Sequence, residues 1–270
     1  TGNGTSGNSD DGSGAAYIAT FKRVYMNGCS FVTNYPNALR GGRASALQVY
    51  NAPFAVSNCV FRGNKKNCAS GCTVDVTGNC GGSVFANCLF AGNYNTFGST
   101  YYGGTGLGVV ALALSYASNT VDFANCTLGY NFCTTNRALY VIRGTANIKD
   151  SIFYGNVIDT GNPNGADIHV ATGGVANVSY TLFGGSGGGY CTKVDTDGST
   201  VVPLGLGAGC VFGDAAFVTT TNSFMTLANV SAIPKSTYTL PSFGGLVSFN
   251  CHLRGKGYTD ETTGEFVELG

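Results

Sequence analysis

The sequence predicts an all-β fold: a single-stranded parallel β-helix, or β-solenoid, of about nine coils with turns rich in Gly and Asn. Three observations lead to this prediction. A six-residue motif recurs about every thirty residues, short runs of alternating apolar residues separate its copies, and no stretch has the apolar period of an amphipathic helix. The 42 glycines among 270 residues supply the turns that many short strands require.

Each copy of the motif begins with a small residue, carries a large apolar residue at its third position and usually ends on Asn. Strand alternation puts the first and third positions on one face, and Asn tolerates the left-handed backbone that ends a strand. Equivalent residues of successive coils should then stack about 4.8 Å apart in columns. The predicted small column is Cys29, Cys59, Cys88, Cys126, Ser151 and Thr181; the apolar column includes Phe31, Phe61, Phe90 and Phe153; the Asn column is Asn34, Asn64, Asn93, Asn131 and Asn156.

The repeat also divides the chain. Residues 1–14 are polar and Gly-rich and are predicted to form a flexible N-terminal arm, or a segment that a partner orders. Residues 15–250 are assigned to the β-helix, and residues 251–270 to a charged C-terminal tail or cap. Further strands are predicted at 46–50, 83–85, 108–113, 138–142 and 166–170.

The composition narrows the function. Charged residues make up 10% of the chain and the net charge is zero, so the basic surface of a nucleic-acid-binding protein is not expected. Eleven cysteines beside so few charges favour an oxidising compartment, hence an extracellular or cell-surface location. The longest apolar run, near residues 107–114, falls short of the about 20 residues that span a bilayer, so no membrane insertion is expected.

Part of the motif also has a family counterpart. Phe31-Val32-Thr33-Asn34 and its copies, such as Phe61-Arg62-Gly63-Asn64, are combined with Gly-Gly segments such as Gly81-Gly82-Ser83-Val84. This combination resembles the repeat of polymorphic outer-membrane proteins, which belong with the pectate-lyase-like right-handed parallel β-helices displayed on cell surfaces. The resemblance covers roughly residues 20–185 and implies a right-handed β-helix at a cell surface, a hand that the general crossover rule also favours.

The cysteines of the small column are predicted to be buried thiols, because parallel stacked side chains stand further apart than the two Cβ atoms of a disulfide. Cys68 and Cys72, with Cys80 nearby, are predicted to form a disulfide that closes a loop; a zinc site is the less favoured alternative. Cys191 and Cys210 are a second disulfide candidate.

Catalytic chemistry is not expected. The carboxylates are scattered rather than clustered, and neither a catalytic residue nor a cofactor is predicted. The segment Asp195-Thr196-Asp197-Gly198 is predicted to form a turn, and a structural calcium site there is the alternative. Asp167 and His169 share a strand face and suggest either a catalytic dyad without an identifiable nucleophile or an ordinary surface strand.

Four sequons make Asn3, Asn125, Asn177 and Asn229 candidate glycosylation sites in a secretory host. In the predicted strand register Asn125 and Thr127 face outward, which suits a glycan, and Asn58, Asn87 and Asp150 also point outward.

These features favour an extracellular structural or adhesive β-helix without catalytic activity. Open coil ends would let copies of the chain stack head to tail into a surface filament. The alternative is a protein that binds or cleaves polysaccharides, with Tyr101, Tyr102 and Tyr140 as platforms for surface glycans.

Overall fold

The structure is a computed structural model that describes residues 14–35, 44–67, 71–96, 108–133, 137–158, 167–184 and 191–213, and the strand positions 217–219, 226–227, 258–259 and 266–267. These residues form strands and turns without a helix, and most strands lie in parallel sheets. The predicted all-β class with parallel strands is therefore confirmed. The described part of the chain contains no apolar helix of bilayer-spanning length.

The strands of the six motif copies, followed by one further strand, form a seven-stranded parallel sheet, here called the phenylalanine sheet. Each strand pairs with the strand of the next repeat unit, in chain order. Its members are β3 (Ser30–Val32), β6 (Val60–Arg62), β10 (Leu89–Ala91), β14 (Thr127–Gly129), β17 (Ile152–Tyr154), β20 (Leu182–Gly184) and β23 (Val211–Phe212).

The large sheet has twelve strands, most of which fall into two rows of parallel strands. Two long strands run through both rows and join them into one sheet. The first row is β1 (Ala16–Ala19), β4 (Ala44–Tyr50), β8 (Cys72–Gly78) and β12 (Val110–Leu114); the second is β2 (Val24–Asn27), β5 (Phe54–Ser57), β9 (Ser83–Ala86) and β13 (Thr120–Ala124). The long strands are β16 (Leu139–Lys149) and β19 (Ile168–Ser179), followed by β21 (Cys191–Val194) and the antiparallel β22 (Val201–Pro203).

A short parallel sheet lies between the other two in chain order. It contains β7 (Lys65–Asn67), β11 (Tyr94–Thr96), β15 (Phe132–Cys133) and β18 (Val157–Ile158). Two antiparallel pairs complete the described strands: β24 (Phe217–Thr219) with β25 (Thr226–Leu227), and β26 (Tyr258–Thr259) with β27 (Phe266–Val267).

The apolar column fills the core behind the phenylalanine sheet. Phe31 pairs in register with Phe61, and Phe61 with Phe90. Their rings stack with centroids 4.9 and 4.8 Å apart and interplanar angles of 0° and 4°. Leu128 continues the column, which then passes through Phe153 and Phe183 to Phe212.

The Asn column forms a continuous ladder of buried side-chain amides. The Nδ2 of each Asn donates to the Oδ1 of the next, from Asn34 to Asn64 at 2.8 Å and from Asn131 to Asn156 at 2.9 Å. The same Oδ1 atoms accept a backbone N–H, as Asn93 Oδ1 does from Asn64 at 3.0 Å. The ladder ends on a carboxylate, because Asn156 donates to Asp167 Oδ1 at 2.7 Å.

The small column has a hydrogen-bonding reason that the sequence pattern did not reveal. Its members donate to a carbonyl oxygen two residues earlier, as Cys59 Sγ does to Ser57 at 3.1 Å and Ser151 Oγ to Lys149 at 2.8 Å. Cys, Ser and Thr can therefore replace one another there, since each carries a short donor. The residue before each member has a left-handed backbone, and so does the residue before Cys210, which follows Thr181 in the same column. These residues are Gly28, Asn58, Asn87, Asn125, Asp150, Tyr180 and Gly209.

Each long strand takes the place of two strands that a turn separates in the earlier units. β16, for example, pairs with β12 in its first half and with β13 in its second. β16 runs through Gly144, which has φ 93°, and a Cβ there would lie 2.5 Å from Leu114 Cδ1. Only glycine fits that backbone and that contact. The sequence predicted a strand at 138–142 but not its continuation to Lys149, because Gly144 in the middle of the segment is a residue typical of a strand end.

The predicted exposure of the other face of the phenylalanine sheet was wrong. Thr127 is fully buried, and it pairs in register with Leu89 and Ile152, which are buried too. The middle of the sheet is thus buried on both faces, as parallel sheets commonly are, whereas Ser30 on one edge strand and Val211 and Phe212 on the other are exposed. Asn58 and Asn87 were also expected to point outward and are buried. Their amides are satisfied by a second side-chain ladder, in which Asn58 donates to Asn27 Oδ1 and Asn87 to Asn58 Oδ1.

Candidate functional site

An open groove on the outer surface of the second row of the large sheet is the candidate ligand site. The groove follows from the alternation of buried and exposed side chains along β13, β16 and β19. Their apolar residues face the core, which leaves Asp122, Asn147 and Asn177 on the outer face. Parallel pairing puts these three residues side by side on neighbouring strands.

The three side chains form a directed hydrogen-bond ladder. Asn177 Nδ2 donates to Asn147 Oδ1 at 2.9 Å, and Asn147 Nδ2 donates to Asp122 Oδ1 at 2.8 Å. Each bond fixes the rotamer of the amide that makes it. The ladder therefore holds a row of polar groups in a defined order on a rigid sheet.

The groove beside the ladder has a volume of about 530 Å³, within the range of small-molecule sites. Lys149 and Ser179 also line the groove, each two residues after the ladder residue of its own strand. The segment Gly205-Leu206-Gly207 forms the rim. That rim is fastened to β19, because the Gly207 N–H donates to the Val178 carbonyl oxygen at 2.7 Å. The lining thus offers amide, carboxylate, ammonium and hydroxyl groups, but no aromatic ring.

A second group of polar residues lies at the start of the first row. The Arg137 guanidinium lies 5.8 Å from the Tyr140 ring centroid, and that ring packs 5.4 Å from the His169 imidazole. Burial and the nearby Arg137 lower the pKa of His169 to about 3, so this imidazole is neutral at neutral pH. Burial lowers the pKa of Arg137 to about 10, which leaves it charged.

Asp167 and His169 are not joined as a dyad. The Asp167 carboxylate accepts the last amide of the Asn ladder, from Asn156, and His169 Nδ1 lies 2.9 Å from Thr192 Oγ1. The alternative of a surface strand was also wrong, because Asp167 is fully buried and His169 is 5% exposed. Tyr140, proposed as a sugar platform, is half-buried with its ring against Arg137 and His169, and Tyr101 and Tyr102 lie outside the described residues.

Asp197 closes the hairpin between β21 and β22. Its Oδ1 accepts the N–H groups of Ser199 and Thr200, each at 2.8 Å, and its Oδ2 accepts the Thr200 hydroxyl. These bonds lower the pKa of Asp197 to about 2, led by the Thr200 side chain. Within the described ranges no group of three or more His, Cys, Asp or Glu side chains is arranged to hold a metal ion.

The predicted disulfide candidates have different outcomes. Cys191 and Cys210 are thiols, so the bridge predicted between them is not formed. Cys191 begins β21 opposite Ile168, and Cys210 precedes β23 and continues the small column beyond Thr181. The two thiols are close enough for Cys210 to contribute, after burial and Asp167, to the raised pKa of Cys191. Cys72 is buried in β8, and its predicted partner Cys68 lies outside the described residues.

The sequons differ in accessibility. Asn177 is exposed, but its amide belongs to the groove ladder. Asn125 is half-buried, and the buried Thr127 removes the outward-facing hydroxyl that favoured this site. Asn3 and Asn229 lie outside the described residues.

The sequence named Asp122 and Asn177 only as a scattered acid and a sequon. A register alignment of the repeat units could have put them in one row, since Asp122, Asn147 and Asn177 each precede a small-column residue by four positions. Comparison of the chain with models of protein families, with curated proteins and with solved structures finds no match.

Proposed function

We propose that the chain is a single-stranded right-handed parallel β-helix that serves as an extracellular structural or adhesive rod without catalytic activity. The observation that carries the proposal is the register of seven successive strands, each stacked on the strand of the next unit. The apolar column runs through all seven strands of the phenylalanine sheet, and the amide ladder runs from Asn34 to Asn156. A rod built this way gains stability from each added unit.

The order of the sheets along the chain supports the winding. Between Val60 and Ala91 the chain passes through the phenylalanine sheet, the short sheet and both rows of the large sheet, then returns one strand further along. The same order recurs in later units. Right-handed crossovers are the rule for parallel strands, which agrees with the family resemblance of the motif.

We further propose that copies of the chain stack end to end. Both described ends of the columns offer the same residue types: Cys29 and Phe31 at the first motif strand, Cys210 and Phe212 at the last. Phe212 is 59% exposed, and Met26 on the first edge is only half-buried against the core. A second copy could continue both columns without a change of side-chain type, and such a heterologous contact gives a filament.

Met26→Lys tests this stacking. The substitution should reduce assembly at least tenfold at equal protein concentration, because an ammonium would be buried in the new contact without a partner. Tyr25→Lys is the matched control, since the neighbouring Tyr25 is 45% exposed and should leave assembly intact. Electron microscopy and light scattering measure the result, and circular dichroism checks that both variants fold. A wild-type chain that stays monomeric at millimolar concentration would refute the filament.

A carbohydrate-binding function is the second candidate, and the groove is the observation that favours it. The ordered amides of Asn147 and Asn177 and the carboxylate of Asp122 suit the many hydroxyl groups of a sugar. A pectate-lyase-like relative of this fold could also cleave its polysaccharide. The dispersed carboxylates weigh against cleavage.

Asn177→Ala should weaken oligosaccharide binding about tenfold, through the loss of one or two hydrogen bonds in the groove. Titration calorimetry with neutral and uronic-acid oligosaccharides measures the affinity. Asn79→Ala is the control, because Asn79 is an exposed Asn outside the groove lining. Absence of binding by the wild-type chain would eliminate this candidate, and release of shortened sugars would overturn the proposal of a non-catalytic protein.

A further inference from the structure

The first two thiols of the small column are accessible to chemistry that the deeper ones are not. Cys29 is half-buried, whereas Cys59, Cys88 and Cys126 are at most 1% exposed. A dissolved reagent can therefore reach the column through Cys29. The column offers it one neighbouring sulfur, that of Cys59.

Cys29 and Cys59 are direct neighbours in register. The residues that follow them, Ser30 and Val60, pair between the parallel strands β3 and β6. The backbone N–H of Cys29 donates to Cys59 Sγ at 3.3 Å, which puts the Cys59 sulfur beside the Cys29 residue. Neighbouring parallel strands are about 4.8 Å apart, within the range of about 4.4–6.8 Å that a disulfide spans between Cα atoms. The stacked Cβ atoms stand slightly further apart than in a disulfide, so the bridge requires them to approach by about 1 Å.

Hydrogen bonds favour the thiolate of Cys59. The Cys88 thiol and the Cys29 N–H lower the pKa of Cys59 against the opposing effect of its burial. Burial, the charge of Cys59 and a hydrogen bond with it raise the pKa of Cys29. The inner sulfur is thus the better nucleophile of the pair at neutral pH, and the outer sulfur is the better-exposed electrophile once it has been oxidised.

We propose that Cys29 and Cys59 form a redox-active pair, and that a low-molecular-weight disulfide converts them into a bridge between the first two repeat units. The Cys29 sulfur, as its thiolate, attacks the small disulfide, a mixed disulfide forms on Cys29, and one small thiolate leaves. The Cys59 thiolate then attacks the Cys29 sulfur, and the second small thiolate leaves. The protein loses two protons and two electrons, and the small disulfide becomes two thiols.

The bridge would close a loop across the first unit of the described core, which is only partly covered. Ala16, Ile18, Val24 and Met26 of that unit are only partly buried. A covalent link from Cys29 to Cys59 limits local opening there, where no further unit stacks within the described residues. This consequence is independent of filament formation and of the sugar-binding groove.

Oxidised glutathione provides the test on the full-length chain. After incubation and alkylation, trypsin should release peptide 24–40 linked to peptide 44–62, each of which contains one cysteine. Cys59→Ser should stop the reaction at a glutathione adduct on Cys29, and Cys29→Ser should leave Cys59 reduced. Cys80→Ser is the matched control, since Cys80 is a buried thiol outside the small column and its loss should leave the cross-link intact.

Oxidation should also raise the thermal midpoint by about 5–10 °C in the wild type and in Cys80→Ser, but not in Cys29→Ser. A stable glutathione adduct on Cys29 of the wild type would overturn the proposal, and so would a cross-link from Cys29 to any cysteine other than Cys59. If a variant fails to fold, the peptide map of the oxidised wild-type chain alone still decides between the bridge and the adduct.

Discussion

Phe90→Ala is expected to lower the free energy of unfolding by about 3–5 kcal/mol. Phe90 is fully buried, its ring stacks on Phe61 at 4.8 Å, and it meets Phe85 edge-on at 5.6 Å. Truncation removes a buried aromatic surface and leaves a cavity in the middle of a column. The neighbours cannot close that cavity easily, because the paired strands on both sides fix their positions.

Urea unfolding followed by circular dichroism measures this loss. Tyr94→Ala is the matched control: Tyr94 also stacks on an aromatic ring, that of Phe132 at 4.7 Å, but it is 43% exposed. Its loss should cost about 1 kcal/mol or less. Equal losses for the two variants would contradict the stacked core on which the rod proposal rests.

Asn93→Ala is expected to cost about 3–5 kcal/mol, as much as the loss of a core aromatic residue. The Asn93 side chain accepts the N–H and the amide of Asn64, and it donates to the Phe61 carbonyl oxygen and to Asn131 Oδ1. Alanine leaves these buried groups without their partner. Each unsatisfied group costs about 1–3 kcal/mol, and water cannot reach the fully buried site.

The comparison variant is Asn79→Ala, measured in the same urea titration. Asn79 is exposed, and its Oδ1 accepts a single side-chain bond, from Asn119 Nδ2 at 3.1 Å. We expect a change within about 0.5 kcal/mol, because water replaces that partner. A small effect for Asn93→Ala would mean that the amide ladder does not stabilise the bends.

The sequence predicted the strands and columns of this protein because the repeat states them several times. Six copies of one motif put a small residue and a Phe or Leu at fixed positions, five of the copies end on Asn, and parallel pairing stacks like on like. Short, local signals were enough: alternation indicates the strand, and Asn or Gly marks its end.

Only the tertiary structure decided which faces are covered and which distant groups meet. Alternation separates two faces of a strand but does not say whether a second layer covers the outer one, so Thr127 and His169 were expected at the surface and are buried. Equal spacing before the small column aligns Asp122, Asn147 and Asn177 in one row, but the groove beside that row forms only because the distant segment Gly205-Leu206-Gly207 packs against β19. Side-chain periodicity is a property of the local backbone, whereas burial and juxtaposition are properties of how successive units pack.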